Sequence, residues 1–206
     1  MKSLILLFVL LLSSCASSSK NSLPDSPDKI SPLMVGASVP NAKVWSLSGK
    51  ELNLTDILTK KKSILIFYRG GWCPYCNRQL QGIRKIEKKL KRLGYQVIGI
   101  SPDSYKNVQA TKTKNKFSYQ VYSDSSLNVA KAFGLAFRVD DATNKKYINY
   151  GIDLLAASGE THRGLPVPAV YLIDKKGVVK FNYVNPNYKI RLNEKILLTA
   201  AREFSK

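Results

Sequence analysis

Cysteine, histidine and acidic side chains are scarce in this 206-residue chain: Cys15, Cys73 and Cys76 are the only cysteines and His162 is the only histidine. So few cysteines exclude the dense disulfide framework of small secreted domains. A structural zinc site needs four ligands, and Cys73, Cys76 and His162 supply only three N/S candidates. Asp and Glu number 14 against 33 Lys and Arg, a net charge of +19. The lysines are spread over Lys60 to Lys62, helix positions such as Lys85 and Lys88, the segment Lys106 to Lys116 and the C-terminus, with no single block and no interleaved aromatic platform. That spread argues against nucleic acid and for a solvated basic surface near anionic lipid. Long apolar runs are also missing. The run Leu4 to Leu12 is too short for a bilayer span, which needs about 20 residues.

That run follows Lys2 and precedes Ser13, Ser14 and Cys15, the order of a secretory signal: charged region, hydrophobic region, cleavage site. Leu12 to Cys15, LSSC, resembles the bacterial lipobox, in which the cysteine becomes the lipidated first residue of the mature protein. Residues 1–14 are therefore expected to be a lipoprotein signal peptide and 15–33, rich in Ser, Asn, Lys, Pro and Asp, a flexible tether from Cys15. A single domain is expected over 34–206. Ala16 lacks the aspartate that resembles an inner-membrane retention signal, so the expected location is extracytoplasmic, held by lipid and tilted to the outer membrane.

With Cys15 assigned to lipid, Cys73 and Cys76 remain, in the stretch SILIFYRGGWCPYC. Ile64 to Tyr68 read as a strand buried on both faces. Leu80, Ile83, Ile86, Leu90 and Leu93, interleaved with Arg and Lys, predict an amphipathic helix starting near Cys73 and stopped by Gly94. Cys73 then sits at a helix N-terminus, where unpaired N–H groups and the dipole favour thiolate. Pro74 suits the first turn, its missing N–H being no loss there. Cys76, one turn on, can close a disulfide, so the pair reads as a redox site with Cys73 attacking and Cys76 resolving. Arg69, on the same loop, would lower a thiol pKa. Cys73 is expected to be the more exposed and more acidic sulfur.

Elsewhere, Val44 to Leu54 predicts a hairpin, Tyr95 to Ile100 and Tyr119 to Tyr122 further strands, and Ser126 to Phe133 a short helix. Ala169 to Ile173 and Val178 to Tyr183 form a second hairpin, and Ile190 to Phe204 a closing amphipathic helix. Arg138 to His162 is a polar insertion without a readable period. Strand and helix alternate, which is the pattern of an α/β sheet.

The blocks FYRGGWCPYC, ISPDS, KAFGLAF, GLPVPAVYLIDKKG and YVNPNYKIRL, in that order, resemble the AhpC/TSA, peroxiredoxin-like branch of the thioredoxin superfamily. The resemblance implies a thioredoxin fold: three layers, α/β/α, around a central mixed sheet, with an N-terminal strand extension and one insertion. It also implies a cis-proline at Pro168, facing the cysteines and exposing backbone to an extended substrate. The chain departs from typical peroxiredoxins, whose Pro, Thr and peroxidatic Cys would fall on Arg69, Cys73 and Cys76, and whose activating arginine would fall on Pro168. Trp72, Cys73, Cys76 and Pro168 complete the thioredoxin-type signature instead, with Tyr75 between the cysteines. The buried carboxylate of thioredoxins would fall on Phe67, so a proton relay must come from elsewhere, with Asp103, Glu160 and His162 as candidates.

The sequence thus predicts a cofactor-free, lipid-anchored thiol-disulfide oxidoreductase using the Cys73/Cys76 couple, acting on protein thiols or disulfides and recycled by a dithiol reductant. The alternative is a thiol-dependent peroxidase consuming hydroperoxides. A third reading, a Cu(I) chaperone, needs a ligand such as His162 beside the two thiolates.

Overall fold

The computed structural model describes residues 22–205; Cys15 and the expected signal peptide lie outside them. Seven strands form the main sheet: β1 (Lys43–Trp45), β2 (Glu51–Asn53), β3 (Lys62–Phe67), β4 (Tyr95–Ser101), β5 (Gln120–Ser123), β8 (Ala169–Ile173) and β9 (Val179–Val184), in the order β2-β1-β5-β4-β3-β8-β9. The three central strands β3, β4 and β5 are parallel, and every other pairing is antiparallel, so the sheet is mixed as expected.

Alternation along β3 builds two cores. Ile64, Ile66 and Tyr68 face α2 (Pro74–Arg92) and α7 (Glu194–Glu203), meeting Leu80, Ile83, Leu90 and Leu197. Leu65 and Phe67 point the other way, to α1 (Leu54–Leu58) and α4 (Asn128–Ala132), meeting Leu54, Leu58, Val129 and Phe133. Each fully buried aliphatic side chain contributes about 1.5–3 kcal/mol, so both layers are held by burial on a strand with no polar face. A further helix, α3 (Tyr105–Asn115), follows β4.

Two expectations change, and the stretch without a readable period takes shape. The segment expected to be a tether lies against the domain from Ser22 onward: Arg138 N–H donates to Pro24 O at 2.7 Å and Leu33 N–H to Phe133 O at 2.9 Å. Leu23, Ile30 and Leu33 supply the apolar contacts that the Ser- and Asp-rich composition hides. The unreadable insertion is a pair of short helices, α5 (Asp141–Asn149) and α6 (Leu154–Ser158), rooted on a ribbon of β6 (Ala136–Arg138) and β7 (Gly164–Pro166). The closing helix begins at Glu194 rather than Ile190, because the Asn193 side chain accepts from Lys195 N–H and caps it there. That late start leaves Arg191 on an irregular segment, free of helical geometry.

Candidate active site

The loop Tyr68 to Trp72 joins the C-terminal end of β3 to α2. Gly70 has φ +140, and a side chain there would strike the Trp72 indole and the Asp103 carboxylate. Cys73 is the N-cap of α2 and Pro74 opens its first turn. The Cys73 Sγ accepts from Cys76 N–H at 3.3 Å, the place a serine or aspartate oxygen takes in ordinary caps.

Both cysteines are free thiols, and the expected difference in exposure is almost absent: Cys73 is 1% exposed and Cys76 0%. Trp72 and Tyr75 pack against the core beside them. Their acidities nevertheless separate as expected. A hydrogen bond from the Cys76 thiol, the Cys76 backbone N–H and the charges of Arg69 and Arg191 outweigh burial and lower the Cys73 pKa to about 6. Burial pushes the Cys76 thiol well up, and its role as donor to Cys73 adds to that.

Arg191 is the residue that sequence reasoning missed. Its Nη2 donates to Cys76 Sγ at 3.3 Å and lies 3.9 Å from Cys73 Sγ, while Nη1 reaches Gln79 Oε1 at 3.4 Å. An arginine thus reaches the sulfurs from the segment before α7, and not from the position of Pro168. The only trace in the sequence is a lone Arg in the Asn- and Pro-containing block YVNPNYKIRL.

Arg69 is 3% exposed and sits among aromatic rings, its guanidinium carbon 4.1 Å from the Tyr188 centroid, 5.2 Å from Trp72 and 5.4 Å from Tyr147. It donates to the Tyr147 hydroxyl. Tyr75 meets Tyr188 edge-on at 5.7 Å, which fixes the ring that carries Arg69. Among the described residues neither Arg69 nor Arg191 has a carboxylate partner. The anion that buried Arg69 and half-buried Arg191 can neutralise is the Cys73 thiolate.

Of the three relay candidates, only Asp103 reaches the site. It is buried, and its carboxylate accepts from Gly71 N–H at 2.7 Å. Burial raises its pKa to about 6 against the pull of the Gly71 N–H, Ser101 and the nearby Trp72 indole. Glu160 is exposed. His162 is held by loop backbone: Gly164 N–H donates to Nδ1 at 2.8 Å, which leaves Nε2 to donate to Ser125 O at 2.7 Å. With both ring nitrogens occupied it offers no lone pair to copper, and the chaperone reading loses its third ligand.

Pro168 is also corrected. There is no cis peptide bond among the described residues. Pro168 O accepts from Asn185 N–H at 3.3 Å, so the strand β9 side, rather than a substrate, takes that carbonyl. The ring itself lines a cavity of about 160 Å³ together with Arg69, Tyr147, Pro186 and Tyr188.

A family model described as the AhpC/TSA family matches residues 35–182. A putative peroxiredoxin bcp from Coxiella burnetii is 32% identical over 70% of this chain and 84% of its own length. Another from Haemophilus influenzae is 32% identical over 52% of this chain and 68% of its own. The match to the chloroplastic peroxiredoxin Q of Arabidopsis thaliana, 28% identical over 73% of this chain, spans only 59% of that protein. Among solved structures, reduced Prx3 from Vibrio vulnificus in complex with H2O2 superposes with a TM-score of 0.68 at 18% identity, over 82% of this chain and 99% of that one. Peroxidoxin BcpB from Mycobacterium tuberculosis gives 0.64 at 18% identity, over 83% and 97%. These likenesses bear on the fold.

Proposed function

This chain belongs to the AhpC/TSA family and is an oxidoreductase, and from that premise we propose that it is a thiol-dependent peroxidase in which Cys73 attacks the hydroperoxide and Cys76 closes the disulfide. The observation that carries the reading is the burial of a thiolate-forming Cys73 at 1% exposure beside Arg191. A protein disulfide must bring its own backbone to the sulfur; a hydroperoxide brings two oxygen atoms. The relatives named above, peroxiredoxins by name, favour the same side.

The thiolate of Cys73 attacks the distal oxygen, the O–O bond breaks, and the leaving alkoxide takes a proton to become alcohol or water. Arg191 donates toward the sulfurs and stabilises the charge as it moves from sulfur to oxygen. The sulfenic acid on Cys73 then reacts with the Cys76 thiol, whose proton leaves with the hydroxyl as water, giving the Cys73–Cys76 disulfide. An external dithiol returns two electrons. The protein is carried on the outside of a bacterial membrane by lipid on Cys15, and mass spectrometry of the mature N-terminus tests that part.

Stopped-flow peroxide consumption, with insulin reduction measured alongside, tests the chemistry. Cys76→Ser is expected to consume one equivalent of peroxide and stop, while Cys73→Ser loses the fast reaction altogether. Efficient insulin reduction with slow peroxide consumption would return the chain to the disulfide-reductase reading. A fast stoichiometric reaction retained by Cys73→Ser would move the attack to Cys76, the position at which the family's own cysteine falls.

A further inference from the structure

The strands β3 and β4 give the domain two poles, and the chain leaves the described structure at one of them. Lys62 and Tyr95 start these parallel strands side by side, and around them Lys60, Lys61, Lys91 and Lys175 complete a lysine pole. The cysteines lie past the opposite ends. Ser22 is exposed, and the residues just after it belong to the cysteine pole: Pro24 pairs with Arg138, and Asp25 and Pro27 line the same cavity as Arg69, Pro168 and Tyr188.

We propose that the cysteine pole is the face turned to the membrane and that its partner is an anionic lipid surface. The proposal rests on the lipid-anchored reading given above. Seven peptide steps separate Cys15 from Ser22, a reach of at most about 25 Å when fully extended. A domain of this length has a radius of gyration of about 16 Å, hence a pole-to-pole distance of about 40 Å. A tether rooted at the cysteine pole is therefore too short to let the lysine pole rest on the bilayer, however basic that pole is.

The side chains at the near pole suit an interface. Ile148 is 50% exposed, Tyr150 77% and Leu155 51%, all on the α5–α6 insertion, and Ile190, next to the segment carrying Arg191, is 50% exposed. Exposed Lys145, Lys146 and Lys189 stand among them. Aliphatic and aromatic tips interleaved with lysine are the composition of surfaces that settle at the headgroup level of anionic bilayers. Substrate and reductant would then reach Cys73 from the lipid side of the molecule.

The test uses the lipid-bearing full chain in vesicles of phosphatidylethanolamine and phosphatidylglycerol that carry a headgroup-proximal nitroxide lipid. In a Cys73→Ser, Cys76→Ser background a fluorophore is placed on Tyr150→Cys, Leu155→Cys or Lys175→Cys. Labels at the first two sites are expected to lose roughly half or more of their emission, as groups seated within 5–10 Å of the headgroups should, and the third to keep it. Quenching at residue 175 alone, equal quenching at all three sites, or no quenching in vesicle-bound protein would overturn the orientation. A full chain that does not join the vesicles overturns the anchor and the orientation together. Neither result touches the peroxidase reading, which fails only on peroxide turnover by the unlabelled protein.

Discussion

At the start of β3 and β4, Lys60, Lys61, Lys62, Lys91 and Lys175 ring an open cavity of about 650 Å³, while past the far end of β3 Arg69 and Arg191 are the arginines whose charge bears on Cys73. The lysines meet water or local partners: Lys91 pairs with Glu87 at 2.6 Å, and Lys62 donates to Ser205 O at 2.8 Å. Exposed charges of this kind contribute about 0–1 kcal/mol each and are screened by salt. Beside Cys73, the hydrogen bonds from the Cys76 thiol and the Cys76 backbone N–H, with the charges of Arg69 and Arg191 added to them, outweigh burial and move the thiol pKa from 9.0 to about 6. Position relative to the core, and not the number of cations, decides which charge does chemistry.

The comparison breaks most directly at Arg191. Arg191→Ala takes one charged donor from beside a buried thiolate, a loss of about 2 kcal/mol or roughly thirtyfold in the peroxide reaction at neutral pH, read by stopped flow. The same change is expected to move Cys73 ionisation upward, measured by iodoacetamide alkylation against pH. In the unaltered protein the sign is set by a lowered folded-state pKa: the thiolate is present above about 6, so the rate rises as pH passes through that value and flattens above it. A rate that instead keeps climbing to the ordinary thiol range would show that Cys73 ionises as an unperturbed thiol.

A smaller effect is expected from Tyr147→Phe, which removes the hydroxyl that Arg69 donates to and keeps the ring. About 1 kcal/mol, severalfold in rate, should be lost, with most of the stability retained. Smallest of all should be the combined change of Lys60, Lys61 and Lys62 to Gln. Peroxide kinetics are expected to stay within about twofold and unfolding free energies from urea titration to shift by no more than about 0.5 kcal/mol per site. A large kinetic effect there would mean that the poles communicate.

The half of the site that lies within one strand, loop and helix is legible in the sequence, because apolar spacing alone sets β3, α2 and the N-cap position of Cys73. Arg191 is not: it lies 118 residues from Cys73, and no periodicity connects an irregular segment to a helix start. Tyr147 and Tyr188 are hidden for the same reason. The helix α5 buries no residue, so its sequence has no apolar stripe to reveal it. Carrying Pro168 over from a related pattern brings the wrong bond geometry with it, since neighbouring chain rather than proline alone sets the isomer. The strap from Ser22 reads as tether because its few apolar residues find partners only in the folded sheet.

The ribbon of β6 and β7 closes on the rung Arg138–Gly164, so everything the chain does between those residues begins and ends at one spot. That makes the α5–α6 excursion a cassette. A tight turn from Arg138 to Gly164 would leave every rung of the seven-stranded sheet in place, yet it would take Tyr147 away from Arg69 and uncover Ser104 and Asn107, which bond Ala156 and Ala157. Chains built on this plan can exchange the cassette to retune what reaches the sulfurs without rewriting the scaffold, and an engineer can do the same with two cuts.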